Sequence, residues 1–187
     1  MKGNEVMKHS REHLDVNGRE TRYGWISRKY STALSNLAGN EVEITDNDGF
    51  SCEPNVYTTS AFLTVDDIIE IHDKMVDDFG GEYGIRDEGL LESLRDAPYT
   101  EFFGSAQYPG ILDKAAKYLF DFTYYQVFVD GNKRVGLSLA NVFLALNGLV
   151  MTLSSKEAYD LVMSIANHGF KDSSEIVPIL EKNTKQI

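Results

Sequence analysis

The sequence predicts a mostly α-helical domain arranged around one central buried helix. Three observations carry this expectation. Apolar residues recur at three- and four-residue spacing in several separate stretches, as in helices with one face in a core. The stretch from Asn132 to Asn147 is the most apolar of them, as suits a helix enclosed by the others. The periodic stretches also open on capping residues and close on glycine or ahead of proline.

Taken in order, Arg22 to Leu37 has Trp25, Tyr30, Leu34 and Leu37 roughly on one face, and Gly39-Asn40 supplies a stop. Val42 to Thr45 alternates like a short strand, and Asn47-Asp48-Gly49 reads as a turn. Cys52 to Ser60 is irregular and marks a boundary, so residues 1–60 form an N-terminal extension, partly helical, and 61–187 the main domain. Thr64 and Asp67 pair as a capping box, followed by Ile68, Ile71, His72, Met75, Val76 and Phe79 on one face. Gly80-Gly81 ends that helix. Asp87 caps a short helix carrying Leu90, Leu91 and Leu94, which stops before Pro98. Tyr99 to Pro109 is too irregular for a helix. Ile111 to Tyr125 is helical again, with Leu112, Ala115, Leu119 and Phe122 aligned. Gln126 to Gly131 is a loop, and Gly148 stops the apolar helix that follows it. Met151 to Leu153 is extended, Ser154-Ser155 caps a helix bearing Ala158, Leu161, Val162 and Ile165, and a last helix spans about Ser173 to Lys182.

Composition narrows the function. The 187 residues carry a formal net charge of −11, which argues against a non-specific nucleic-acid binder, because that role needs a basic surface. A few local cations still suffice for a nucleotide. Met1 to Ser10 is polar and resembles no signal peptide, and no apolar run reaches the roughly 20 residues of a membrane span, so a cytoplasmic protein without a membrane partner is expected. The single cysteine, Cys52, has no internal disulfide partner and reads as a reduced thiol.

The chemistry concentrates in Gln126-Val-Phe-Val-Asp-Gly-Asn-Lys-Arg134. A helix N-terminus presents unpaired N–H groups and a partial positive charge. Gly131 lets a ligand approach the backbone, and Asn132, Lys133 and Arg134 add donors and cations. Asp130 places a carboxylate where Mg²⁺ could sit between protein and phosphate. The plainer alternative is an ordinary Asp-Gly-Asn turn and cap followed by solvated charge. Composition leaves both open.

This segment resembles the signature of the Fic/Doc family, His-Pro-Phe-x-(Asp/Asn)-Gly-Asn-(Gly/Lys)-Arg, with Phe128, Asp130, Gly131, Asn132, Lys133 and Arg134 in matching places. The run from Phe79 to Ser93, the helix Ile111 to Tyr125 and the Phe143–Gly148 ending resemble the family as well. The resemblance implies a Fic/Doc-type helical domain with a short β flap, which binds ATP and Mg²⁺ and moves a phosphoryl or AMP group onto a hydroxyl of a target protein, as a toxin or effector. By position Asp130 would hold the metal. Gly131, Asn132, Lys133 and Arg134 would bind the nucleotide, Arg134 also stabilising the transfer, and Phe128 would anchor the loop. Tyr99, Phe102, Phe103 and Gly104 fall in the flap that docks the protein substrate. Lys133 and Leu137 resemble the Doc branch, which is associated with phosphorylation, more than the adenylylating one. The resemblance further implies an antitoxin partner and leaves homo-oligomers open.

One position departs. The family's general-base histidine falls on Gln126, and the proline on Val127. A carboxamide can orient a hydroxyl but has no usable basicity near neutral pH. The chain is then a natural pseudoenzyme, or carries a substitution that silences a toxic enzyme, or recruits another base. His72 reads as structural and His168 as a helix-end or surface residue, and Tyr124 and Tyr125 titrate too high to substitute. Leu34 to Asn40 looks like a degraded inhibitory helix with Ala38 at the glutamate position, or an ordinary packing helix with a glycine cap. The competing functional class is a catalytically dead Fic scaffold that binds a nucleotide or a protein.

Overall fold

The computed structural model describes residues 62–187, which belong to the compact unit Thr58–Ile187. The expected helix at 22–37, the strand at 42–45, the segment 34–40 and Cys52 lie outside the described residues. Among the described residues there are six α-helices and two pairs of short antiparallel strands, in keeping with a mostly α domain bearing a small β flap.

Helix α1 (Val65–Phe79) opens on the expected capping box. Thr64 Oγ1 accepts from the Asp67 N–H at 3.1 Å and the Asp67 carboxylate accepts from the Thr64 N–H at 3.0 Å. Its inner face buries Ile68, Ile71, His72, Met75 and Val76. Phe79 does not join them as expected. It is 62% exposed, because the last turn runs past the edge of the core before Gly80 reverses the chain. Helix α2 (Glu88–Asp96) is capped by Asp87, whose carboxylate accepts from the Leu90 N–H at 2.9 Å, and it buries Leu91 and Leu94 while Leu90 is half-buried.

The central buried helix expected from the sequence packs along the helix that precedes it. Helix α3 (Ile111–Tyr124) buries Ala115, Ala116, Tyr118, Leu119 and Phe122, and helix α4 (Asn132–Leu146) buries Val135, Leu139, Ala140, Val142, Phe143 and Leu144. Gly136 sets their separation. A Cβ there would stand 3.0 Å from the Leu119 carbonyl oxygen and 3.1 Å from the Thr123 nitrogen, both main-chain atoms.

Within α3, Asp121 is 1% exposed and accepts a hydrogen bond from Lys117 Nζ at 2.9 Å. Burial pushes its carboxyl up from the ordinary range, and the Lys117 ammonium offsets this in part. The folded chain therefore keeps this proton to a higher pH than the unfolded chain does. The associated stability is fully present below the unfolded value of about 3.9 and is lost as pH rises through the folded value. Urea unfolding of the protein and an Asp121→Asn variant should show wild type losing stability relative to the variant across that window. A constant difference would contradict the assignment.

The C-terminal third packs around this pair. Helix α5 (Ser155–Ala166) opens on a Ser154–Glu157 capping box and buries Ala158, Leu161, Val162 and Ile165. It ends with Gly169 N–H on the Ser164 carbonyl at 2.8 Å and His168 N–H on the Ile165 carbonyl at 3.1 Å, the paired bonds of a left-handed stop. His168 takes the left-handed position, φ 60°, where glycine is usual. His168→Gly should therefore raise stability by about 0.5–1 kcal/mol, read as a higher urea midpoint.

The last helix is not continuous as expected. A 3₁₀ turn (Ser173–Glu175) and helix α6 (Val177–Lys182) meet at Ile176, because Pro178 lacks an N–H and its ring would strike the carbonyl four residues back in an unbroken helix. The extended segment after α4 is Leu149–Met151 (β3), two residues earlier than expected. It pairs antiparallel with Thr184–Gln186 (β4), a strand the sequence did not announce. No helix among the described residues is long and apolar enough to cross a membrane.

Candidate functional site

The α3–α4 loop is built from the inside outward. Val127 and Phe128 are fully buried. The Phe128 ring stacks on His72 at 4.1 Å and lies 6.4 Å from Phe122. Asn132, the first residue of α4, clasps the loop: its Oδ1 accepts from the Phe128 N–H and its Nδ2 donates to the Phe128 carbonyl, both at 2.8 Å. The Asn132 side chain is thereby engaged, and what it leaves for a ligand is its backbone N–H.

A second chain segment runs along the loop. Val129 N–H donates to the Gly84 carbonyl at 2.9 Å, Arg86 N–H to the Val127 carbonyl at 2.8 Å, and Ile85 and Phe128 form an antiparallel bridge. The Arg86 guanidinium adds a bond to the Val129 carbonyl at 3.0 Å. Residues 80–86, of which the sequence marked Gly80-Gly81 as a helix stop and the whole as part of the family resemblance, thus form one wall of the loop. On that wall Tyr83 donates to the Asp77 carboxylate, which raises its phenol above the usual range.

At the mouth, Gly131 precedes α4 with φ 81°, and no side chain caps the first-turn N–H groups of that helix. These are the donors that would face an anion. Asp130 Oδ1 accepts from the Gly131 N–H at 2.6 Å, and its Oδ2 lies 3.7 Å from Arg134 Nη2. The Asp130 side chain is 51% exposed. Arg134 is not loose in solvent: its Nη1 donates to the carbonyls of Gly80 at 2.8 Å and Met75 at 3.2 Å, which turns Nη2 toward Asp130. Gly81 lies against this pair so closely that a Cβ would fall 2.5 Å from Asp130 Oδ2 and 3.2 Å from Arg134 Nη2. The Lys133 side chain is exposed and bonds to none of the described residues. The described residues hold no cluster of three histidine, cysteine or carboxylate groups suited to a metal. A magnesium ion beside Asp130 would draw its other ligands from phosphate and water, which is its ordinary habit.

The two histidines answer one question raised by Gln126. His72 is 1% exposed, with Nδ1 2.8 Å from Asp73 Oδ1 and Nε2 3.2 Å from the Asp130 carbonyl oxygen. Both nitrogens are engaged inside the fold and the ring is enclosed, so His72 is not placed to reach a substrate hydroxyl. His168 is exposed, edge-on to Tyr124 at 4.9 Å. Gln126 itself is exposed at φ 48°.

The flap is a hairpin of β1 (Glu101–Phe102) and β2 (Ser105–Ala106). Phe103 and Gly104 form its two-residue turn with φ 50° and 75°, the geometry that matches the twist of paired strands. Phenylalanine is a poor choice there, because a side chain in the left-handed region costs about 1–2 kcal/mol. Phe103 is 96% exposed, with the Phe102 ring 4.7 Å away. Tyr99 sits at the root instead, 5.0 Å from Phe62 and beneath Lys114. Lys114 Nζ holds the returning arm through the carbonyls of Tyr108 and Pro109.

A helical domain whose glycine-turned loop feeds an uncapped helix, flanked by a carboxylate, an arginine and a short hairpin, defines the class. The sequence pattern of the Fic/DOC family matches residues 62–144, and the chain belongs to the Fic/Doc family. It is 38% identical over 90 residues to Toxin Doc of Mycolicibacterium smegmatis, covering 47% of this chain and 69% of that one. It is 28% identical over 112 residues to Protein kinase doc of Escherichia phage P1, covering 60% of this chain and 87% of that one.

Proposed function

We propose that this protein binds ATP with Mg²⁺ at the start of α4 and is built to move a phosphoryl group onto a hydroxyl of a target protein, as a Doc-type toxin acting in the cytoplasm and held in check by an antitoxin. The observation that carries this reading is the free first turn of α4 after the left-handed Gly131, with Asp130 and Arg134 fixed at its mouth. One of the two relatives is a protein kinase, which favours phosphoryl over AMP transfer, and the other is a toxin.

When bound, ATP supplies the transferable group and Mg²⁺ screens its charge. The chain's own residues do the rest. Backbone N–H groups at Asn132 and after it receive phosphate oxygens. Asp130 offers its exposed carboxylate to the metal, and Arg134 Nη2 and Lys133 oppose the charge that builds as the transfer proceeds. Phe128 keeps the loop in register from the core. Phe102, Phe103 and Gly104 receive an extended target segment. Gln126 holds the target hydroxyl without removing its proton, so the chain as it stands binds well and transfers slowly.

Calorimetry with ATP and Mg²⁺ tests the binding. Wild type should give saturable heat, and Asp130→Ala a heat at least tenfold weaker in affinity. Equal, negligible heats from both would remove the nucleotide site. The second reading, a scaffold without catalysis, is favoured by Gln126 alone, and is separated from the first by the histidine variant considered in the Discussion.

A further inference from the structure

We infer that His72, which lies outside the sequence motif, is a positioning residue that locks the Asp130–Gly131 peptide in the orientation the phosphate site needs. The inference rests on the reading of that loop as a nucleotide site. His72 lies 58 residues before Asp130 in the chain, yet its Nε2 donates to the Asp130 carbonyl oxygen at 3.2 Å. The other end of the same peptide, the Gly131 N–H, is held by the Asp130 carboxylate at 2.6 Å. One peptide plane is thus gripped on both sides.

The grip matters because of the residue that follows. Glycine occupies φ of either sign almost equally, so Gly131 does not by itself choose its observed φ of 81°. A flip of this peptide would turn the carbonyl oxygen toward the mouth, where an anion would meet an acceptor in place of donors. His72 opposes the flip from beneath. Its own ring is fixed three ways: Nδ1 against Asp73 at 2.8 Å, one face on Phe128 at 4.1 Å, and enclosure that leaves 1% exposed. The same helix face also supplies the Met75 carbonyl that holds Arg134. Helix α1 therefore sets both the loop backbone and the arginine. A side chain there only to fill space would be cheaper as leucine, since buried polar groups stabilise nothing unless bonded.

Amide geometry supplies the test. A glutamine amide nitrogen reaches about as far as Nε2, and an asparagine nitrogen about as far as Nδ1. His72→Gln should retain the bond to Asp130, while His72→Asn and His72→Leu should lose it. We expect ATP–Mg²⁺ affinity within roughly 3-fold of wild type for glutamine and roughly 5–10-fold weaker for asparagine and leucine, the worth of one hydrogen bond. The Gly131 amide NMR signal, recorded without ligand, should be single in wild type and His72→Gln, and shifted or doubled in the other two. Affinities that follow thermal stability alone, with glutamine no better than asparagine, would overturn the inference, as would a Gly131 signal unchanged in all variants. If wild type itself binds no ATP, the nucleotide reading fails, and the Gly131 signal still decides whether His72 positions the peptide.

Discussion

Gln126→His is expected to raise phosphoryl transfer to a host protein by about 10²–10⁴-fold, the usual worth of a general base. ATP affinity should hardly change, because the donors at the start of α4 are untouched. The backbone is already suited to the replacement. Residue 126 has φ 48°, a region in which histidine is found several-fold more often than most side chains. It is also exposed, so an imidazole there keeps the solvation it needs to titrate near neutrality. The measurement is transfer of labelled γ-phosphate from ATP into host protein, with Gln126→Ala as the control that should show no gain over wild type. Growth arrest on expression of the histidine variant, abolished by adding Arg134→Ala, would give the same result in cells. No gain from histidine, with ATP still bound, would favour the scaffold without catalysis.

Gly136→Ala is expected to lower stability by about 2 kcal/mol, a fall in Tm of roughly 5–10 °C. Two effects oppose each other here. Alanine in place of glycine inside a helix gains about 1 kcal/mol of propensity. Against that, the new methyl group would sit 3.0 Å and 3.1 Å from main-chain atoms of α3, and 2.5 Å from Thr123 Oγ1. A hydroxyl can rotate away, but a helix backbone cannot, so α3 and α4 must separate along their shared face. Packing loss across that face outweighs the propensity. A scanning calorimeter reading a higher Tm for the variant would show that the two helices are less tightly set than their contacts imply.

Much of the site was legible because it is local. Asp130 to Arg134 is a short run in which a glycine turn leading into a helix can be read from the residues themselves. The capping boxes at Thr64–Asp67 and Ser154–Glu157 likewise need only four residues each. What escaped the sequence is what depends on partners far away in the chain. Nothing near Gly84 or Arg86 announces that they will bond to Val127 and Val129. Thr184–Gln186 is too short and polar to declare itself a strand until Leu149–Met151 lies beside it. His72 has the spacing of a core residue, and only its distance from Asp130 reveals a second duty. Phe79 keeps the period of its helix but outruns the core that the period serves.

The wall formed by residues 80–86 has a consequence for the protein during its synthesis. Arg134 takes its bearings from carbonyls 54 and 59 residues earlier, and the loop leans on Gly84 and Arg86. A ribosome-bound fragment ending before the α3–α4 loop therefore owns every piece of that wall but nothing for it to hold. The proposed nucleotide site is completed late, when α4 has cleared the exit tunnel and closed a long loop of chain. A prematurely terminated product would then lack the completed site, and with it the transfer proposed above.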